Sequence, residues 1–167
     1  TFEEEDARVA KCRELERDDM ADLIIVLVDS GLRVGEALSL EWRDVTKGAI
    51  TIWENKSDHP RSIPMTKRVQ LLFEERRTRG IEKPFSMVKQ TTFNHIWEYV
   101  RSLLGLARDK QFVPHALRHT CASRLVQAEV PLLEVKEILG HKAIQMTMRY
   151  AHLAPKNLTN AISKLER

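Results

Sequence analysis

The chain has 167 residues, enough for one domain with a hydrophobic core. Two cysteines are too few for a disulfide framework or a cysteine zinc site, so we expect a reducing, cytoplasmic setting. No stretch has the length of a membrane span and no secretory signal opens the chain, so no membrane partner is expected. Because residue 1 is threonine rather than methionine, we expect a piece of a longer protein.

Charge is unevenly distributed, although the net charge is only +3. Residues 1–20 hold eight acidic and four basic residues, whereas residues 21–167 hold 16 acidic and 23 basic residues. A basic body suits a polyanion such as DNA, but on charge alone an ordinary solvated surface is the favoured interpretation. Charge therefore permits a DNA partner without requiring one.

Helices are predicted over most of the chain from their start and stop signals. Thr1 with Glu4 forms a capping box, Pro114 and Pro131 suit a first helical turn, and Gly140 suits a C-terminal cap. The predicted helices run from residue 1 to about 17, from 18 to a stop at Gly31, and over roughly 33–40, 66–79, 91–105, 114–128, 131–139, 144–152 and 156–165.

A small antiparallel sheet is predicted between these helices. Short β-type runs cover residues 42–45, 49–53 and 61–63, and they are separated by Lys47-Gly48 and by the polar stretch 54–60. The pattern therefore predicts a mainly helical α+β domain with a three-stranded antiparallel sheet.

The segment 114–119 is the most informative candidate site. His115 and Arg118 lie three residues apart near the start of a predicted helix, where free N–H groups and the helix dipole favour an anion. A guanidinium matches two phosphate oxygens at once, so the pair is a candidate phosphate clamp. The alternative is an ordinary exposed helix face.

Four further residues become candidates only in combination. Arg33 follows a predicted helix cap and has Glu36 three residues on, Lys56 lies in the polar stretch between two predicted strands, and His141 precedes Tyr150 by nine residues. Taken singly, these residues are typical of a surface ion pair, a solvated lysine, a loop histidine and a packed tyrosine.

Together the segments resemble the catalytic domain of the tyrosine recombinases, the phage integrase family. Each segment alone is a weak signal, but five in the family's order and spacing are highly specific. The resemblance covers about residues 19–153, and its segments are SGLRVGE at 30–36, Lys56, HALRH at 115–119, LGHK at 139–142 and TMRYAH at 147–152.

The resemblance implies a DNA breaking-rejoining fold and a site-specific recombinase that forms a covalent 3′-phosphotyrosine intermediate. It also implies double-stranded DNA and further subunits of a tetramer as partners, a bacterial or phage setting, and no metal, ATP or other cofactor. The implied roles are phosphate binding for Arg33 and Arg118, protonation of the leaving 5′-oxygen for Lys56, proton transfer and phosphate contact for His115 and His141, and nucleophilic attack for Tyr150.

The last predicted helix carries an apolar stripe at Leu158, Ile162 and Leu165. By analogy with the family, residues 154–167 form a tail that docks on a neighbouring subunit, although the stripe equally suits packing on its own domain.

Three other functions share part of this pattern. A type IB topoisomerase uses the same chemistry, and a non-catalytic DNA-binding module would have the same basic body. A zinc hydrolase could use His115 and His119, four residues apart, with His141 as a third ligand, but Ala116 stands where the common zinc-protease helix has glutamate.

Overall fold

The computed structural model describes residues 1–53, 60–109, 113–155 and 163. The helices in these ranges are α1 Phe2–Glu14, α2 Asp18–Ser30, α3 Val34–Leu38, α4 Lys67–Thr78, α5 Gln90–Leu103, α6 His115–Gln127, α7 Leu132–Leu139 and α8 Gln145–Met148, with two 3₁₀ helices, Trp42–Asp44 and Ala151–Leu153. The strands are β1 Ala49–Ile52 and β2 Arg61–Pro64. The predicted lysine site at Lys56 and the stripe of the last predicted helix lie outside the described residues.

Local signals place the helix ends as expected. The Thr1 hydroxyl accepts a hydrogen bond from the Glu4 backbone at 3.2 Å, and this capping box begins α1. Helix α2 ends at Gly31 and α7 ends at Gly140, both in the left-handed conformation that glycine adopts without strain. The mainly helical fold class is confirmed.

The sheet has two strands in the described residues, so the prediction of three is wrong. Strands β1 and β2 pair antiparallel, with Ile50 opposite Ile63. The predicted first strand instead forms the 3₁₀ helix Trp42–Asp44, and Val45 makes only an isolated bridge to Ile50. The Asp44 carboxylate accepts from the Glu41 backbone N–H at 2.9 Å, and this local turn competes with extension of the strand.

Helix α2 lies at the centre of the main hydrophobic core, with Leu23, Ile24 and Leu27 fully enclosed. It packs against α1 and α6. A second, smaller core joins α6, α7 and the segment after α8, and its buried members are Ala122, Val126, Val135, Leu139 and Tyr150. Helix α6 contributes to both cores and therefore connects them.

The predicted helix 144–152 is interrupted. Helix α8 ends at Met148, and a 3₁₀ helix starts at Ala151, leaving Tyr150 between the two elements. The Tyr150 backbone N–H donates to the Thr147 carbonyl at 3.0 Å, a tight three-residue spacing that turns the tyrosine inward. In the part of the chain that the structure describes, no helix is long and apolar enough to cross a membrane.

Candidate active site

Arg118 is buried between the C-terminal ends of two helices. Its guanidinium donates to the carbonyl oxygen of Gly31, at the end of α2, over 2.5 Å, and to that of Leu139, at the end of α7. Helix C-termini present unsatisfied carbonyls and partial negative charge, which compensate a buried cation. Burial, and then the positive charges of Arg33 and Arg61, lower the pKa of Arg118 to about 10. The group therefore stays charged at neutral pH, in a fixed plane.

Two glycines allow these helix ends to approach closely. Gly31 and Gly140 both have a φ of +64°. A Cβ atom on Gly31 would lie 2.6 Å from Cδ2 of Leu139, and one on Gly140 would lie 2.7 Å from Nη1 of Arg61. The glycines that were predicted as helix caps therefore also permit the packing that surrounds Arg118.

Glu36 accepts hydrogen bonds from two arginines. Its Oε1 lies 2.7 Å from Nη1 of Arg33, and its Oε2 lies 2.7 Å from Nη2 of Arg61. Burial opposes ionisation of Glu36, but hydrogen bonds from Arg61 and from the Arg33 backbone outweigh it and hold the pKa of the carboxyl below its ordinary value. Arg33 is thus held at the start of α3 by a charged partner, as its spacing to Glu36 predicted.

Arg61 is a site residue that the sequence analysis missed. It is buried in β2, and its Nε donates to the Ile138 carbonyl oxygen at 3.2 Å. In this strand Arg61 and Ile63 face inward, while Ser62 and Pro64 face outward. An arginine in the inward register of a strand requires a partner, and that pattern is the signal that could have identified it.

His141 follows the Gly140 cap and is almost fully buried. Its Nδ1 lies 2.8 Å from the hydroxyl oxygen of Thr147, which is also buried. Burial, and then the positive charges of Arg118 and Arg33, lower the pKa of His141 to about 4. The imidazole is therefore neutral at neutral pH. No sequence signal pointed to Thr147 as its partner.

Tyr150 packs in the second core, with 7% of the residue exposed. Its phenolic oxygen lies 2.5 Å from Nδ1 of His119. Burial raises the pKa of Tyr150, and the positive charges of Arg149 and Arg118 act against that rise. The phenol is therefore protonated at neutral pH, and its oxygen lies within hydrogen-bond distance of a histidine nitrogen.

The sequence analysis gave His119 no role other than that of a possible zinc ligand. Its ring meets the ring of His115 edge to face, with 4.7 Å between centroids. Partial burial, and then the positive charges of Arg118, Arg33 and Arg149, lower the pKa of His115. The signal for His119 was its spacing of four residues from His115, which puts both rings on one face of α6.

The described residues of the predicted site therefore lie together. The charges of Arg33 and Arg118 act on His115 and on His141, and the charge of Arg118 also acts on Tyr150. Positive charge and neutral imidazoles around a buried phenol suit a phosphodiester and the transfer of protons near it. Lys56 was the remaining predicted member, and it lies outside the described residues.

The zinc hypothesis finds no support in the described ranges. Within 1–53, 60–109, 113–155 and 163, no three histidine, cysteine, aspartate or glutamate side chains are grouped so that they could hold a metal ion. Instead, Nδ1 of His119 contacts Tyr150 and Nδ1 of His141 contacts Thr147. Cys12 and Cys121 are buried free thiols.

Comparison with known sequences agrees with this geometry. The model of the phage integrase family matches residues 7–157. The integrase of Haemophilus phage HP1 is 30% identical over 154 residues, which cover 92% of this chain and 43% of the phage protein. The tyrosine recombinase XerA of Pyrococcus furiosus is 27% identical, with 89% of this chain and 56% of that protein covered. The chain thus spans about half the length, or less, of these relatives.

Solved structures show the same likeness. The catalytic domain of bacteriophage HP1 integrase superposes with a TM-score of 0.78 at 27% identity, covering 98% of this chain and 92% of that one. The recombinase XerH, bound to its difH substrate before cleavage, gives a TM-score of 0.74 at 27% identity and covers 98% of this chain and 53% of XerH.

Proposed function

The chain belongs to the phage integrase family, and from this premise we propose that it is the catalytic domain of a site-specific DNA recombinase. Tyr150 attacks a DNA phosphate and forms a 3′-phosphotyrosine, and a 5′-hydroxyl later reverses the link. The observation that carries the proposal is the contact of the Tyr150 phenol with His119, beside the buried cation Arg118.

Arg33 and Arg118 bind the scissile phosphate in this proposal. A guanidinium has five N–H donors, so Arg118 can hold two helix-end carbonyls and still donate to a phosphate. Arg33 is only half buried, and Glu36 holds it at one edge. Donors fixed before the reaction stabilise the charge of the five-coordinate transition state without reorganisation, which is the largest single contribution in many enzymes.

Proton transfer completes the reaction. A 5′-oxygen leaves poorly unless it is protonated, and we assign that proton to Lys56, as the resemblance implies. The neutral imidazoles of His115 and His141 donate hydrogen bonds to the phosphate without adding charge. Because the phosphotyrosine link retains the free energy of the phosphodiester, resealing requires no nucleotide hydrolysis.

Assembly and setting are proposed with the activity. We assign residues 1–167 to a catalytic domain in the C-terminal part of a longer protein. Its extent is supported by coverage, since the chain covers 92% of the solved HP1 catalytic domain but 43% of HP1 integrase. The partners are double-stranded DNA and further copies in a tetramer on DNA, with residues 154–167 as the docking tail. The proposed location is the cytoplasm of a bacterial host, at the nucleoid. The proposed genetic setting is a phage or another mobile element.

A covalent adduct tests the proposal. The full chain is incubated with a library of nicked duplexes that have a randomised central segment, and DNA that stays bound after denaturation is recovered. We expect an adduct that mass spectrometry maps to Tyr150, and none from Tyr150→Phe. DNA binding without an adduct would support a binding module instead, and an adduct with relaxation but no strand exchange would support a topoisomerase.

A further inference from the structure

We propose that His119 is a further catalytic residue, which takes the proton from the Tyr150 phenol as the tyrosine attacks the phosphate. This inference rests on the proposed function, because the phenol must lose its proton for Tyr150 to form a bond to phosphorus. Its foundation is the 2.5 Å distance between Nδ1 of His119 and Oη of Tyr150, which is within reach for direct proton transfer.

The fold fixes the positions of both the His119 ring and the Tyr150 ring. His119 follows Arg118 directly on α6, so the helix that anchors the phosphate-binding arginine also sets the position of the proton acceptor. The His115 ring lies edge to face against His119. Tyr150 is in turn fixed by the second core, and its ring centroid lies 5.8 Å from that of His119. No rearrangement of either element is needed to bring acceptor and phenol together.

Burial, together with the charges around it, keeps the His119 ring neutral. The groups that face it are His115 and Arg118 from α6, and Arg149 and Tyr150 from the segment after α8. Burial, and then His115, Arg149 and Arg118, lower the pKa of His119. At neutral pH the ring can therefore carry its proton on Nε2 and accept at Nδ1.

His141 is less suited to this step. Its Nδ1 is hydrogen-bonded to the Thr147 hydroxyl, and both side chains are buried. The resemblance assigns proton transfer to His115 and His141. Of these, His141 is bonded to Thr147 and the His115 ring packs against His119, while His119, to which the resemblance assigns no role, contacts the nucleophile.

The step balances as follows. The O–H bond of Tyr150 breaks, its proton goes to Nδ1 of His119, and the phenolic oxygen forms a bond to phosphorus. The bond from phosphorus to the 5′-oxygen breaks, and that oxygen takes a proton from the general acid, proposed above as Lys56. In resealing, the attacking 5′-hydroxyl returns its proton to the general acid as its oxygen bonds to phosphorus, and the departing phenolate recovers its proton from His119.

The pH profile of cleavage distinguishes proton transfer from a purely structural contact. In the full chain, single-turnover adduct formation on nicked duplex DNA is measured from pH 5.5 to 9.5 for wild type and His119→Asn, whose amide can retain a hydrogen bond but cannot take up a proton. His119→Gln is the second variant in case the first unfolds. The matched control is His95→Asn on the exposed face of α5.

We expect both His119 variants to lose about 10²- to 10⁴-fold in rate at pH 7. The deficit should shrink as pH rises, since the phenol then ionises without help, while DNA affinity and the rate of the control stay within twofold of wild type. A deficit that is constant with pH, or no deficit, would overturn the role of His119 while wild-type adducts still support the proposed function. Absence of any wild-type adduct would overturn both.

Discussion

Arg61 and Glu36 form a buried two-point ion pair, with Nη2 to Oε2 at 2.7 Å and Nη1 to Oε1 at 3.2 Å. The same carboxylate holds Arg33, and the same guanidinium donates to the Ile138 carbonyl oxygen. One pair therefore connects β2, the start of α3 and the end of α7, which are three elements around the proposed phosphate site.

Removing Arg61 should destabilise the fold severely. Arg61→Ala leaves the Glu36 carboxylate buried with one arginine instead of two, and breaking a buried pair from one side costs about 3–5 kcal/mol in free energy of unfolding. Urea denaturation measures this. The control is Arg79→Ala, which breaks an exposed contact to Glu75 at 3.9 Å and should change stability by less than about 0.5 kcal/mol. Equal effects of the two changes would contradict this account.

Two glycine substitutions should differ sharply. Gly31→Ala places a Cβ at positive φ and 2.6 Å from Leu139, so we expect a loss of about 1–3 kcal/mol in free energy of unfolding. In the control, Gly35→Ala adds a Cβ in α3 with nothing within 4 Å, which should leave stability unchanged or raise it by up to about 1 kcal/mol. Thermal unfolding of both variants in parallel decides the matter, and a harmless Gly31→Ala would refute the close packing.

His141 should make the fold sensitive to acid. Its pKa is about 4 in the folded chain against an ordinary 6.5, so between these values the unfolded chain binds a proton that the folded chain does not. The stability it provides is complete above pH 6.5 and is lost as pH falls toward 4, by about 2 kcal/mol at pH 5. His141→Asn does not titrate, so the difference in unfolding free energy between wild type and variant should shift by that amount from pH 8 to 5. A difference independent of pH would mean that His141 is not held neutral.

Cleavage should occur within one subunit. Tyr150 contacts His119 of its own chain and lies under the charge of its own Arg118, so the proposed proton acceptor and one phosphate-binding arginine come from the same subunit as the nucleophile. Mixing Tyr150→Phe with Arg118→Ala should therefore yield no covalent adduct with nicked DNA. Mixtures of each variant with wild type serve as controls for assembly, and an adduct in the double-variant mixture would show that Tyr150 serves a neighbour's phosphate.

The tail gives a separate test of assembly. Deleting residues 156–167 removes the apolar stripe at Leu158, Ile162 and Leu165. If the stripe docks on another subunit, the truncated chain keeps its unfolding midpoint but forms fewer multimers on DNA in sedimentation measurements. A large fall in the midpoint would instead show that the stripe packs on its own domain.

Much of the fold could be predicted because the signals are local. The capping box at Thr1 and the glycine caps at Gly31 and Gly140 act within one helical turn, and the structure has them as predicted. The prediction of a third strand was wrong because the Asp44 side chain closes a turn where the β-type residues favoured extension. The sequence predicted one continuous helix through Tyr150, whereas the structure interrupts it there. The interruption accompanies burial of the tyrosine in the second core, and the local pattern does not reveal that core.

The sequence by itself determined the family, because five short segments keep their order and spacing whatever their contacts. On that basis it predicted Tyr150, Arg33 and Arg118 as site residues. Only the tertiary structure decided which side chains contact one another at the candidate site. Arg61 reaches Glu36 from 25 residues away, and His119 reaches Tyr150 from 31 residues away. Such partners are chosen by how strands and helices pack, since burial of a charge or a phenol demands a partner in space and places no constraint on its distance along the chain.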